Sequence, residues 1–482
     1  MTHHDKDGCA EWVGDLAPSD DQLDSIAETI FSSDDPKIVK YTIRGKGKKD
    51  PIQVHCLARH AHVYEVVKGK NRNKVDLSQY DRLLKSITGD VRFFLGNKTD
   101  DQKVRWEILR AAMNAEPPLS RNSTDYFEDI GRRMTEQAAT FTFNNQVDPE
   151  KFNIVREYGY LVPYLAASEF TGITLPKSPS LLLRLFMFAR NKTSRGKIVL
   201  KGEMAASSEL LMWSHIIFGH MFANVGERDF KLKLFGSIVA KKFNALLKKS
   251  IRNADKVPPQ SLLGRFLDLK DQFTTGEHPR MCEQEFEDHI RFILFELTGT
   301  MQLLVGSAFA NILGVVEDYN LDLEKFLDHV KNDDIALDEA LRLSTPTTTL
   351  YRTAKQDFNI GKHEIKEGDR LCLMVRHACK DPKVFPEPNE FSLGNKGQLE
   401  RNPKDYLSFG PYELTPNSFE PKDGSHPCFG QYWARTILKS MLRGVTQFEN
   451  LKIETTDESV LTSFRSIPDA IMSSHHRTQI KN

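Results

Sequence analysis

Chemistry in this chain gathers around one cysteine. In the run GSHPCFGQYWA, from Gly424 to Ala434, Cys428 lies two residues after His426 and between Gly424 and Gly430. A thiolate is a nucleophile and a soft metal ligand, and a helix beginning just after it favours the charged form through backbone N–H groups and the helix dipole. Helical periodicity does begin after Cys428, near Gln431. Gly424 permits a sharp turn and Gly430 permits close backbone approach to a flat partner. Taken alone, such a cysteine reads first as a buried residue in a turn before a helix.

Other residues fall in suggestive pairs. Glu339 and Arg342 in LDEALRLSTP stand three apart on a helical pattern and share one face, as an ordinary surface ion pair also would. Trp106 and Arg110 in WEILR are four apart, and Arg352 follows the Glu339 helix closely. The long apolar segment after Glu283 is interrupted by LTGTMQLL, which offers the hydroxyls of Thr298 and Thr300 and the amide of Gln302 beside Gly299. An amide donates and accepts hydrogen bonds but delivers no proton readily. Gln302 could hold a bound oxygen species, or it could satisfy a backbone carbonyl within a helical core.

The run around Cys428 fits G-x-H-x-C-x-G-x-x-x-A and resembles the heme-binding loop of the cytochrome P450 superfamily. Glu339 and Arg342 resemble its E-x-x-R pair, and YRTAKQDFNIGKHEIKEGDRL resembles the strands that flank its heme. The resemblance implies a mainly α fold with a small β-rich lobe and a long central helix over heme b, with Cys428 as axial thiolate. It implies propionate contacts from His426, Arg352, Trp106 and Arg110, close approach at Gly424 and Gly430, and a structural role for Glu339 and Arg342. Two departures stand out. Asn395 occupies the place where an arginine would complete the Glu339–Arg342 network, so Arg401 or another residue must substitute. In addition, Phe409 and Gly410 are separated from Gly424 by PYELTPNSFEPKD, which reads as an insertion on the side where redox partners dock in the family.

On the distal side, Met301 and Gln302 stand where monooxygenases of the superfamily carry an acid and an alcohol. This arrangement resembles the heme-thiolate domain of fungal fatty-acid dioxygenase and diol synthase fusion proteins, as do Phe152 to Pro176 and Ser208 to Lys233. It implies a heme-thiolate oxidoreductase acting on an apolar, fatty-acid-derived substrate as a hydroperoxide isomerase or peroxygenase. In that reading Gln302 positions the peroxide, and Thr298 and Thr300 can support a water relay. The fusions' dioxygenase domain has no counterpart here, so an upstream dioxygenase would supply the hydroperoxide. The alternatives are a reductase-dependent monooxygenase acting on a lipid or secondary metabolite, and a non-catalytic heme or lipid carrier.

The positioning elements are mostly helical. Periodicity predicts helices near 78–87, 100–113, 123–140, 149–172, 207–224, 231–250, 283–319, 321–331, 336–343 and 431–445, with strand alternation at Ile52, Val54 and Cys56 and short strands between 347 and 392. The 283–319 helix would span about 50 Å, and apolar residues on nearly all its faces require burial. Residues 1–25 read as a flexible arm and 26–482 as one domain. Lys plus Arg equals Asp plus Glu at 66 each in 482 residues, which leaves no global field to recruit nucleic acid or an anionic membrane.

Six irregularly spaced cysteines exclude a disulfide framework and paired zinc motifs. His55, His60 and His62 read as surface histidines rather than metal ligands. No apolar signal core and no uncharged run of membrane-spanning length occurs, so the expectation is a cytoplasmic protein, soluble or peripherally associated with membrane.

Overall fold

The computed structural model describes residues 2–4, 10–14, 20–33, 38–43, 52–92, 100–115, 124–145, 151–180, 202–222, 230–277, 279–332, 334–393, 405–409, 428, 430–446, 452–460 and 467–473. In chain order the helices are α1 (Asp20–Phe31), α2 (His60–Val67), α3 (Ser78–Thr88), α4 (Asp100–Asn114), α5 (Thr124–Asn145), α6 (Leu161–Thr171), α7 (Gly202–Phe222) and α8 (Phe230–Arg252). They continue with α9 (Leu262–Thr274), α10 (Glu283–Asp318), α11 (Leu323–Asn332), α12 (Ile335–Leu343), the single turn α13 (Val375–Ala378) and α14 (Gln431–Val445). The strands are β1 (Thr2–His4), β2 (Ala10–Gly14), β3 (Val39–Ile43), β4 (Ile52–Leu57), β5 (Val75–Asp76), β6 (Lys151–Asn153), β7 (Leu350–Ala354), β8 (Phe358–Ile360), β9 (His363–Ile365), β10 (Arg370–Leu373), β11 (Lys452–Val460) and β12 (Ile467–Ser473).

A seven-stranded sheet runs in the order β1-β2-β3-β4-β10-β7-β5, beside a three-stranded sheet β11-β12-β6 and the hairpin β8-β9. The parallel β4–β10 pairing joins residues far apart in sequence, placing Cys56 beside Cys372. The helices pack around α10, whose 36 residues run about 54 Å. Its length and composition would suit a membrane span, yet 83% of its most apolar window is buried by its neighbours. It is a core helix.

Three close approaches show how the core is built. A Cβ on Gly306 of α10 would collide with the Tyr160 ring, and one on Gly444 of α14 would collide with Thr135 and Tyr158. Gly131 of α5 likewise faces Ser440 of α14. Side chains at these positions would force the helices apart, so glycine sets their spacing.

Of residues 1–25, expected to form a flexible arm, the described ones lie in β1, β2 and the first half of α1, where Leu23 is buried. It heads the i, i+3, i+4 and i+7 series Leu23, Ile26, Ala27 and Ile30 by which α1 joins the core. The continuous helix expected over 149–172 is divided into β6, a π-turn at Val155–Gly159 and α6. Two tertiary demands account for the division. Residues 151–153 pair with β12, and the carbonyl of Tyr160 accepts bonds from Gln302 Nε2 and Ser207 Oγ. Pro163, in the first turn of α6, needs no N–H donor there.

Candidate functional site

Cys428 lies immediately before α14. Its backbone N–H donates to the carbonyl of Phe409 at 3.0 Å, although residues 410–427 separate the two in sequence. Burial pushes the thiol up to about 11, opposed by a hydrogen bond from the Gly430 backbone N–H. Without a cation the sulfur is therefore held as a thiol. A bound metal ion reverses that balance, because a coordinating thiol is deprotonated outright. Gly424 and His426 lie outside the described residues.

An ionic brace fixes α14 to α12. Arg435 NH1 meets Asp338 Oδ1 at 2.5 Å, and its guanidinium lies 4.8 Å from the centre of the Phe409 ring. Phe409 is thus held both by Arg435 and by the Cys428 N–H. Burial raises Asp338 to about 6 despite the adjacent Arg435, because desolvation outweighs the attraction.

Beside Asp338, Glu339 and Arg342 form a fully buried bidentate pair at 2.7 and 2.8 Å. Arg342 also donates to the carbonyls of Cys379, Pro388 and Glu390, fastening the segment before the Cys428 loop. Glu339 accepts from the Ser392 N–H at 3.1 Å and the Tyr406 hydroxyl at 2.9 Å. Among the described residues Tyr406 takes the place sought for a third partner; Asn395 and Arg401 lie outside them. No spacing rule in the sequence marks Tyr406, which reaches Glu339 only through the fold.

Arg352 is on β7, with NH1 donating to the Tyr351 carbonyl at 2.8 Å and no ion-pair partner among the described residues. Burial disfavours its charge, so an incoming carboxylate would be a natural counterion. Trp106 and Arg110 lie half-buried on α4, with Trp106 packed against the main core.

The middle of α10 separates the candidates proposed from sequence. Gln302 is fully buried, and its Nε2 donates to the Tyr160 carbonyl, the Ser207 carbonyl and Ser207 Oγ at 3.1, 2.9 and 2.6 Å. Its donor side therefore ties α10 to α7 and to the entry of α6, the carbonyl-satisfying alternative weighed above. Gln302 Oε1 and the Thr298 hydroxyl are buried without hydrogen bonds. Thr300 is half-buried and donates to the Glu296 carbonyl at 2.7 Å. With Leu304 and Asn311, also half-buried, it forms the least covered stripe of this stretch.

The histidines expected at the surface are buried. His55 meets Asp369 at 2.8 Å, His60 bonds the Asp405 carbonyl, and burial lowers His62 to about 4. Among the described residues no cluster of His, Cys, Asp or Glu could hold a metal ion.

The protein-family model for cytochrome P450 matches residues 312–475, which include Glu339, Arg342, Arg352 and Cys428. The biotin biosynthesis cytochrome P450 of Bacillus subtilis is 27% identical over 42% of this chain and 44% of its own length. The chloroplastic fatty acid hydroperoxide lyase of Solanum lycopersicum is 27% identical over 31% of this chain and 36% of its own. The matched stretches thus span less than half the length of these curated relatives. Across nearly the whole chain, the fold matches a crystal structure of P450BioI in complex with hexadec-9Z-enoic acid ligated acyl carrier protein. The TM-score is 0.65 with 15% identity, covering 93% of this chain and 97% of that one.

The fold is that of solved cytochrome P450 structures, and the family model and the relatives extend the likeness to the sequence over part of the chain. Proteins of this family hold heme through a cysteine thiolate. The residues described here fit that group: a desolvated sulfur at a helix start, and a half-buried arginine, Arg352, with no ion-pair partner among the described residues. The narrower resemblance to fungal fusion proteins receives no support from the comparisons.

Proposed function

We propose that this protein is a heme-thiolate oxidoreductase that transforms an apolar, fatty-acid-derived hydroperoxide without a reductase. The observation that carries the heme-thiolate part is the setting of Cys428, pinned by Phe409 and braced through Arg435 and Asp338 to the buried Glu339–Arg342 pair. Cys428 would hold the heme iron by its thiolate, with Arg352, Arg110, Trp106 and His426 holding the propionates and Gly424 and Gly430 allowing close approach. Heme held by a thiolate supplies cleavage of a bound O–O bond.

The choice of a ready-made peroxide rests on the two positions where monooxygenases of the superfamily carry an acid and an alcohol. Met301 and Gln302 occupy them and bring no carboxyl group to deliver protons. One similar protein is named a fatty acid hydroperoxide lyase and another, P450BioI, is seen in complex with a hexadec-9Z-enoic acid ligated acyl carrier protein, and both support a fatty-acid-derived substrate. Gln302 acts in this proposal as a positioning residue, because its N–H groups hold α10 against α7. Thr300 is the residue proposed to meet the oxygen-bearing end of the substrate, and Thr298 stands behind it as a buried hydroxyl.

The half-buried hydroxyl of Thr300 also favours a second reading, a reductase-dependent monooxygenase, since a hydroxyl on the least covered stripe could organise water for proton delivery. Two measurements decide. The strongly red-shifted thiolate band in the reduced carbon monoxide spectrum tests Cys428, and its absence from freshly purified protein refutes the assignment. Turnover of a hydroperoxy fatty acid without reductase supports the leading reading, whereas turnover only with NADPH and a reductase supports the second.

A further inference from the structure

We infer that the outer face of α8 docks on an anionic phospholipid surface. In a chain of balanced charge, α8 carries seven basic residues, from Lys231 to Arg252, and neither Asp nor Glu. Its inner face is conventional: Val239, Ala240, Phe243 and Leu247 are buried in the core. The outer face is unusual. Leu234, Phe235 and Ile238 are 49%, 56% and 44% exposed, and among the described residues only Ile335 joins them as an exposed large apolar side chain. Scattered apolar exposure needs no explanation, but three adjacent residues on one helix form a patch.

Charge complementarity identifies what covers it. Lys233 and Lys241 are exposed beside the patch and pair with no carboxylate among the described residues. Gly236 packs against Ile87, which brings α3 alongside with its exposed Arg82 and Lys85. The nearby carboxylates are already engaged, Asp81 with Arg92 and Asp90 with Arg291 and Lys248. Apolar side chains ringed by lysines are the composition of a helix lying in a membrane interface, with its rings and methyls among the acyl chains and its ammonium groups among anionic headgroups. Lysine stems also cover apolar surface while their charged ends remain wet, so the exposed face tolerates water when lipid is absent.

The test is sedimentation of the full-length, heme-loaded protein with phosphatidylcholine vesicles, with and without phosphatidylserine. Binding is expected only with phosphatidylserine and should fall as salt is raised. Each lysine near such a surface strengthens binding about fivefold, so K233E with K241E should weaken it by at least ~25-fold. Replacing Leu234, Phe235 and Ile238 together by Ser should weaken binding by ~10-fold or more while leaving its salt dependence in place. These side chains are exposed, so far-UV circular dichroism and the carbon monoxide spectrum should match the parent, and the lysine variant alone suffices if the apolar one misfolds. Equal binding to neutral vesicles, no binding to either, or vesicle binding that survives both variants would overturn the proposal. So would self-association or capture of an acidic protein through this face without vesicle binding.

Discussion

Replacing Tyr406 with Phe removes one oxygen from a site that water does not reach. Glu339 accepts from Arg342 Nε, Arg342 NH2, the Ser392 N–H and the Tyr406 hydroxyl, and Glu339 and Tyr406 are 0% and 1% exposed. The variant leaves the ion pair intact, so its cost should lie below the ~3–5 kcal/mol expected when one partner of a buried pair is lost. It should exceed the cost of losing a neutral hydrogen bond, because the acceptor is a carboxylate; about 2 kcal/mol follows, or roughly thirtyfold in the unfolding equilibrium. Urea unfolding followed by circular dichroism should show a lower midpoint with an unchanged slope. Arg342→Ala should fall further, since the carbonyls of Cys379, Pro388 and Glu390 also lose their donor. A Tyr406→Phe midpoint indistinguishable from the parent, alongside a strong effect of Arg342→Ala, would refute Tyr406 as a supporting member of the network.

Cys428→Ser should abolish the red-shifted carbon monoxide band while preserving helical circular dichroism; retention of that band would remove Cys428 as the ligand. Gln302→Leu should destabilise the fold by about 1–3 kcal/mol, because the carbonyls of Tyr160 and Ser207 lose a buried donor, and a variant with parental stability would contradict the bonds described. Asp338 titrates near 6 when folded and near its ordinary ~3.9 when unfolded, so the folded state binds its proton more tightly and stability from this group falls as pH rises from about 4 to 6. Asp338→Asn should flatten that part of the unfolding profile, and a profile parallel to the parent's would exclude the effect. Gly306→Ala should destabilise by about 1–3 kcal/mol through collision with Tyr160, whereas a neutral outcome would show that α6 and α10 can separate freely.

Much of this architecture could be read from local patterns, because long helices write their buried face every three or four residues. Thus Tyr80, Leu83, Leu84 and Ile87 of α3 stand at i, i+3, i+4 and i+7, and all are buried. Glu339 and Arg342 were legible for the same reason, being one turn apart. What escaped depends on residues distant in sequence. Tyr406 reaches Glu339, Arg435 reaches Asp338, and Gln302 reaches Tyr160 and Ser207 only after the helices have packed. The histidines misled because an imidazole pattern does not distinguish a solvent-facing ring from one capped by Asp369 or by the Asp405 carbonyl. The division of 149–172 was hidden because its apolar content suits a helix throughout, while pairing with β12 and the diverted Tyr160 carbonyl decide otherwise.

The bond between Cys428 and Phe409 also bears on how this chain can vary. It closes the backbone around residues 410–427, so the position of Cys428 is set by its neighbours rather than by the length of the polypeptide leading to it. The entropic penalty for closing a loop grows only logarithmically, with each doubling of length adding about 0.6 kcal/mol. Residues can therefore be added or removed ahead of Gly424 at little cost in loop closure. The inserted stretch between Gly410 and Gly424 is where lineages could change length, and where an engineer could splice in a tag, without moving the two anchors.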